Sequence, residues 1–427
     1  MNSNFSRAMA IAALVFGVAC KEKAGSPEAK PGAPAAETKV PAGPIKVGAT
    51  LPLTGAEARI GGFYKEGYEY AFEQFNKGGG LTVGGKKVPV QLTLLDDTSA
   101  QATAVSLADR LVNSDKVDFL LGTYASHLVA AQSAVAEQNG IPYVQGGGGA
   151  TEIHSRGYKW IFGLLAPVEL LADAEMQWID QQQKAGKLPK PARIALLVEN
   201  TAHGKDFKKG VSDFVGKSGG AYSIVVDESF ELNGKDFSAL LGKVKASGAD
   251  FMLADAHLPD YITMQRQYIT AGLCHKVLSY GARGSEKQAA EALGVDKIAW
   301  ILSSVWWSNQ LAQKGGLNKE FVDGFAASHA GRKPEWYQAL GYETARALFT
   351  AIEQAGSVDH EAVRAKLAAM KIPSLLPGGE LTFPAEFGQQ THAPFVVQQN
   401  QPDGSSPIVF PESVATGTAT PANPNCK

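Results

Sequence analysis

The sequence predicts an α/β fold of two similar lobes, each a parallel sheet flanked by helices. Three observations carry this. Short apolar runs that alternate with a period of two are followed by stretches with a helical period. Glycines or aspartates close most of these runs. The alternation also occurs twice: it runs from Ile45 to Val144, pauses near Ala166-Pro167, and restarts at Arg193. Strands alternating with helices imply crossover connections, and hence parallel pairing.

In the first half, Ile45, Val47, Ala49 and Leu51 alternate as a strand, and Pro52-Leu53-Thr54-Gly55 is a loop. Residues 62–76 are helical in period, with Tyr64, Tyr68, Ala71 and Phe75 on one face, and Gly78-Gly79-Gly80 ends them. Val88, Val90, Leu92 and Leu94 form a second strand closed by Asp96-Asp97, and a helix through Val105, Ala108 and Leu111 follows. The second half reads as strands over 193–199, 222–228, 251–255 and 276–280, with helices over 205–217, 236–246 and 259–271 between them. A strand over 298–305 and helices over 319–330 and 336–355 come next. Residues 378–383 and 393–400 read as short strands in an antiparallel pair.

The most informative stretch is Phe119 to Thr151. A strand ends at Gly122, a small polar loop leads to a helix over 127–139, and Gly140 stops it. A second strand, Ile141–Val144, runs into four glycines, Gly146 to Gly149, and Ala150-Thr151. Both loops sit at strand C-terminal ends, where open parallel sheets bind ligands. The helix start offers free N–H groups and a partial positive charge, with Ser126 expected as its N-cap. Glycines let a ligand approach the backbone. Together they suit a carboxylate. An ordinary turn with a flexible glycine loop is the alternative.

The chain has 427 residues, 44% hydrophobic and 19% charged, with net charge −2. That is ample for a core, and no basic balance points to nucleic acid. Arg7, a small apolar run from Ala8 to Ala19, and then Cys20 read as a targeting segment too short to span a membrane. Small residues before Cys20 resemble a bacterial lipoprotein box, although Gly17 stands where leucine is usual; a plain signal peptide is the other reading. Residues 21–44 are rich in Pro, Ala and charge and suit an extended tether. Cys274 and Cys426 are left either to pair or to remain free thiols.

Taken together, these motifs resemble the leucine/isoleucine/valine-type periplasmic binding proteins of ABC transporters. The likeness rests on Pro52–Gly55 with Gly61-Gly62, Asn76 to Leu81, Asp96-Asp97, Leu121 to Ser126, Gly140 to Thr151, Arg156 to Tyr158, Lys235 to Leu240, and Gly379 to Pro411. It implies Rossmann-like lobes joined by three crossovers, with a ligand cleft between them that closes by hinge motion. It places the carboxylate-binding set on Ser126, His127, Gly148, Gly149 and Ala150. Ile60 falls at the cleft mouth, where an aromatic is common. On the second lobe, positions that often hold tyrosine fall at His203 and near His257, and the acidic partner of an α-ammonium falls at Gly281. An ammonium without a carboxylate is costly to bury. Asp255 and Glu286 are candidates to compensate, but neither is in register. Amides, carboxylates and aromatic acids stay open as ligands.

The expected organisation is a signal peptide over 1–19, a lipidated Cys20 and tether over 20–44, a first lobe of 45–166 plus 300–375, a second lobe of 167–299 plus 376–413, and a tail over 414–427. The expected function is a solute-binding lipoprotein that delivers a small amino-acid-like or carboxylate ligand to ABC permease subunits, anchored to a membrane and facing the periplasm. A monomer is expected, with no cofactor, no nucleic acid and no catalysis; the motifs of nucleophilic, zinc and nucleotide sites are missing from the sequence. A sensor of the same fold that binds an amide or aromatic acid is the alternative. His127, His203 and His257 form a candidate metal cluster, but none is expected because no carboxylate joins them at ligand spacing. Asp96, Asp97 and Glu199 read as strand-end carboxylates rather than acid–base groups. Of Trp306 and Trp307, one belongs in the core and one near the cleft or surface, since neighbours on a strand face opposite ways.

Overall fold

A computed structural model describes residues 39–426. The expected signal peptide, Cys20 and most of the tether lie outside the described residues. The strands in chain order are β1 (Ile45–Leu51), β2 (Leu81–Val83), β3 (Lys86–Val88), β4 (Val90–Asp96), β5 (Phe119–Leu121), β6 (Tyr143–Gln145) and β7 (Ile161–Gly163). They continue with β8 (Ala192–Glu199), β9 (Tyr222–Phe230), β10 (Phe251–Asp255), β11 (Val277–Ser279), β12 (Leu302–Val305), β13 (Lys371–Pro373), β14 (Glu380–Thr382), β15 (Val396–Gln399) and β16 (Ile408–Phe410).

The first lobe is a five-stranded parallel sheet in the order β4-β1-β5-β6-β7. The second is a seven-stranded sheet, β16-β15-β12-β11-β10-β8-β9, parallel from β9 to β12 and antiparallel at β15 and β16. Helices sit between the strands as the periodicity predicts: Ala58–Lys77, Gln101–Asn113 and Ser126–Asn139 in the first half, Ala202–Lys217, Ser238–Ser247 and Leu258–Thr270 in the second. The chain crosses between lobes after β7, after β12, and again between β14 and β15.

Helix Trp336–Ala355 returns to the first lobe and packs on Ala58–Lys77. The approach is close because Gly67 and Gly341 meet there; a Cβ on Gly67 would stand 2.4 Å from the Gln338 carbonyl oxygen. One apolar cluster runs through both lobes, from Val47 and Phe349 to Ile194 and Trp178. The other face of each sheet carries its own cluster, around Val129 and Ile153 in one lobe and Leu197 and Met252 in the other.

Two boundaries and one strand pairing differ from expectation. Leu302–Val305, assigned to the first lobe with 300–375, pairs with β11 and β15 in the second sheet, so the crossover begins at Trp306. Within 376–413, assigned to the second lobe, residues 389–391 bond to the edge of the first sheet: Gly163 donates to the Gln389 carbonyl and Thr391 donates to the Gly163 carbonyl. The expected 378–383/393–400 pairing does not form. Strand β14 instead pairs with β13, only a short turn away, while β15 is taken by β12 and β16.

The tail folds onto the second lobe. Thr420 N–H donates to Gln399 Oε1 and Asn423 N–H to the Lys276 carbonyl, each at 2.8 Å. This brings Cys426 to Cys274, and the two form a disulfide. No helix among the described residues is long and apolar enough to cross a membrane.

Candidate ligand cleft

The cleft lies where the C-terminal ends of both sheets face each other. From the first lobe, helix Ser126–Asn139 points its start into it. Ala125, not Ser126, is the N-cap, and no side chain caps the helix. Leu128 and Val129 return their N–H groups to the Ala125 carbonyl, which leaves the amides of Ser126 and His127 at the cavity wall. Ser126 is buried and His127 is exposed at the rim.

The glycine run behaves differently from expectation. Gln145 organises it: Oε1 accepts from Gly147 N–H at 3.0 Å and from Gly148 N–H at 2.8 Å. A Cβ on Gly147 would lie 1.9 Å from the Thr123 carbonyl oxygen, so this glycine lets two loops touch. Gly148 turns toward Ile153 and Val129 in the core, and its amide is already bonded, so it does not join the cleft set. The Ala150 side chain is likewise buried in the cluster with Val129 and Ile153. Gly149 does face the cavity, against Trp306. Ile60 is also misplaced by expectation. It is the third residue of its helix and packs into the core, while Glu57, just before that helix, is the residue that looks across the cleft.

The second lobe contributes two histidine–carboxylate pairs. His203 Nδ1 lies 2.7 Å from Asp255 Oδ2, and His257 Nδ1 lies 2.6 Å from Glu199 Oε2. Glu199 and Asp255 end the neighbouring parallel strands β8 and β10, so they emerge side by side. Burial works against a charge on His257, but the Glu199 and Glu57 carboxylates outweigh it and lift its pKa to about 9. Glu199 is held well below the usual glutamate range: burial raises it, but the His257 charge wins.

Gly281, at the position of the expected ammonium partner, leaves that space to Asp255. A Cβ built on Gly281 would stand 2.6 Å from Asp255 Oδ1. Glu286 is drawn elsewhere, accepting from the Tyr337 hydroxyl at 2.5 Å. The ground for expecting no metal cluster also falls: Glu199, His203 and Asp255 offer ligand atoms within 4.8 Å of one another. Their carboxylates are nonetheless committed to imidazole Nδ1 atoms, and a guanidinium shares the cavity.

That guanidinium belongs to Arg283, which the sequence reading missed together with Tyr124 and Trp336. Arg283 Nη2 donates to the Tyr124 hydroxyl at 2.9 Å, bridging the lobes, and its guanidinium stands 5.5 Å from the Trp336 ring centroid. Trp306 lines the cavity 5.1 Å from Trp336, and Trp307 is buried against Phe321, dividing the pair as expected. Asp96 and Asp97 have loop-tying roles: Asp96 accepts from Leu53 and Thr54 amides, Asp97 from the Thr50 and Thr123 hydroxyls.

Two sheets with facing C-terminal edges, three crossovers and a cavity between them define a two-lobed solute-binding protein. The family model described as periplasmic binding protein matches residues 44–405, and the chain belongs to that family. It is 26% identical over 378 residues to Leu/Ile/Val-binding protein homolog 8 of Brucella abortus (strain 2308), covering 86% of this chain and 91% of the relative. The fold is similar to a leucine binding protein LivK from Thermotoga maritima MSB8, with a TM-score of 0.73 at 22% identity over 85% of this chain and 97% of that one. It is also similar to an ABC-transporter solute binding protein from R. palustris in complex with benzoate, with a TM-score of 0.72 at 23% identity over 89% and 98% of the two chains.

Proposed function

We propose that this protein captures a small amino-acid-like or carboxylate solute outside the cytoplasm and delivers it to the permease of an ABC importer, held at the membrane by a lipid on Cys20. The observation that carries the reading is a cavity at the facing strand ends with groups from both lobes: the Ser126 and His127 amides on one side, Arg283, His203 and His257 on the other. A ligand that touches both lobes favours the closed arrangement. Moving such an equilibrium from mostly open to mostly closed takes about 5.5 kcal/mol of differential binding.

The ligands named for the similar proteins, leucine and benzoate, share a carboxylate, which the helix start suits. Catalysis forms no part of this reading, since Asp96, Asp97 and Glu199 are tied into loops and an ion pair. A thermal-shift screen over amino acids, amides and aromatic acids tests it, followed by pull-down from membranes. Stabilisation by a carboxylate and recovery of permease subunits support the reading. Recovery of a receptor kinase instead would favour a sensor.

A further inference from the structure

We propose that the cleft takes a flat aromatic carboxylate that bears a second oxygen and lacks an ammonium group. The proposal rests on the reading above and narrows its ligand class.

The argument is which polar atoms the cavity leaves over. On the first lobe they are the amides of Ser126 and His127, which only donate. Deeper in, Arg283 Nη1 and Trp336 Nε1 have no hydrogen-bond partner among the described residues. Their side chains are buried, with residue exposures of 4% and 6%. Guanidinium and indole nitrogens also only donate. His203, 8% exposed, gives Nδ1 to Asp255, so Nε2, likewise without a partner, is the ring nitrogen left for a ligand. These groups lie close together: the Trp306 ring is 6.3 Å from His203 and 5.1 Å from Trp336. A buried donor without an acceptor is costly, so the cavity favours oxygen at both ends of its ligand.

An α-ammonium has the wrong polarity for the Ser126 and His127 amides, Arg283 Nη1 and Trp336 Nε1, whereas a ligand hydroxyl can both accept from these donors and give its proton to His203 Nε2. The ammonium donates only and carries the same charge as Arg283. The carboxylates near it already face other groups: Glu199 takes Thr201 and His257, Asp255 takes His203, and Glu57 looks onto His257 Nε2 at 3.9 Å. Between the two polar ends, the walls are the rings of Trp306, Trp336 and Tyr124 with Leu165 and Leu232, which suit a flat apolar body.

Calorimetric titration of the full chain with three probes tests this. The first is para-hydroxyphenylacetate. The second is para-hydroxyphenylglycine, which adds an α-ammonium to the same skeleton. Phenylacetate, the third, lacks the second oxygen. The first is expected to bind at least about tenfold more tightly than either of the others. Equal or tighter binding of the glycine or of phenylacetate overturns the proposal, and so does no binding of para-hydroxyphenylacetate. Trp336→Phe keeps the ring and removes the donor, so the preference over phenylacetate should shrink; an unchanged preference counts against it. Gly149→Asp separates the two levels. If the glycine wins and Gly149→Asp abolishes its binding, only the narrower inference fails. If Gly149→Asp leaves every probe's affinity unchanged, the carboxylate cradle itself is refuted.

Discussion

Glu57 and His257 face each other across the cleft, with His257 Nε2 3.9 Å from Glu57 Oε1. The other ring nitrogen is held by Glu199 on the second lobe, so one imidazolium joins carboxylates from both lobes. A closed cleft is therefore expected to depend on the protonation of a single ring.

The sign follows from the raised pKa. An unfolded histidine titrates near 6.5 and His257 in the fold at about 9. Its contribution is present in full below about 6.5 and is lost as pH rises through about 9. Glu199, with a lowered pKa, contributes above its ordinary value and loses that contribution in acid. The melting-temperature difference between wild type and His257→Gln should be greatest near pH 5–6 and shrink toward pH 9. Burial lifts Glu175 to about 8 in both proteins, and that contribution cancels in the difference; Glu286, lifted by burial to about 7, also feels the His257 charge, so the change beyond pH 8 is the part that reports His257. A difference that persists unchanged beyond pH 9 would contradict the coupling.

Gly149→Asp should weaken binding by at least about a hundredfold for whichever probe stabilises wild type most. Any Cβ at this position meets Trp306 and Val168 at 3.2 Å, and the change adds bulk and negative charge to the wall of the cavity that Ser126 also lines. Melting temperature measured alongside affinity shows whether the variant folds. A folded variant with wild-type affinity would remove the site from this loop.

Much of this was legible in the order of residues. Strand–helix alternation marked both sheets, and the family pattern brought Ser126, His127, His203 and His257 to one cavity. What it hid was distance in sequence. Asp255 is 52 residues from His203, and Glu199 is 58 from His257. The signal was present, because both carboxylates end strands that were recognised, but only the adjacency of β8 and β10 turns that into contact. Arg283 carried no mark, since a lone arginine in a loop looks like any solvated cation. The glycine run misled in another way: Gly147 and Gly148 serve close packing against protein, which sequence cannot tell from close approach by a ligand.

Replacing Cys426 with Ser should lower global stability by about 2–4 kcal/mol, read by denaturant unfolding under oxidising conditions. The disulfide closes a loop with a sequence separation of 152, long enough that most of its effect falls on the unfolded chain. Wild type treated with a reductant should approach the variant's stability. A variant indistinguishable from oxidised wild type would mean the tail's hydrogen bonds at Thr420 and Asn423 hold it without the covalent link.

Cys20→Ala tests the proposed lipid anchor. The apolar run before Cys20 is about 12 residues, short of the ~20 that span a bilayer, so it cannot by itself fix the mature protein in a membrane. No helix among the described residues is long and apolar enough to cross a membrane. The proposed attachment is through acyl chains on Cys20, and stable anchoring takes more than one chain. With the sulfur gone, the protein should move from the membrane pellet to the soluble extracellular or periplasmic fraction while its purified binding affinity stays unchanged. Variant protein that remains in the pellet after a high-salt wash would show that something other than Cys20 holds it there.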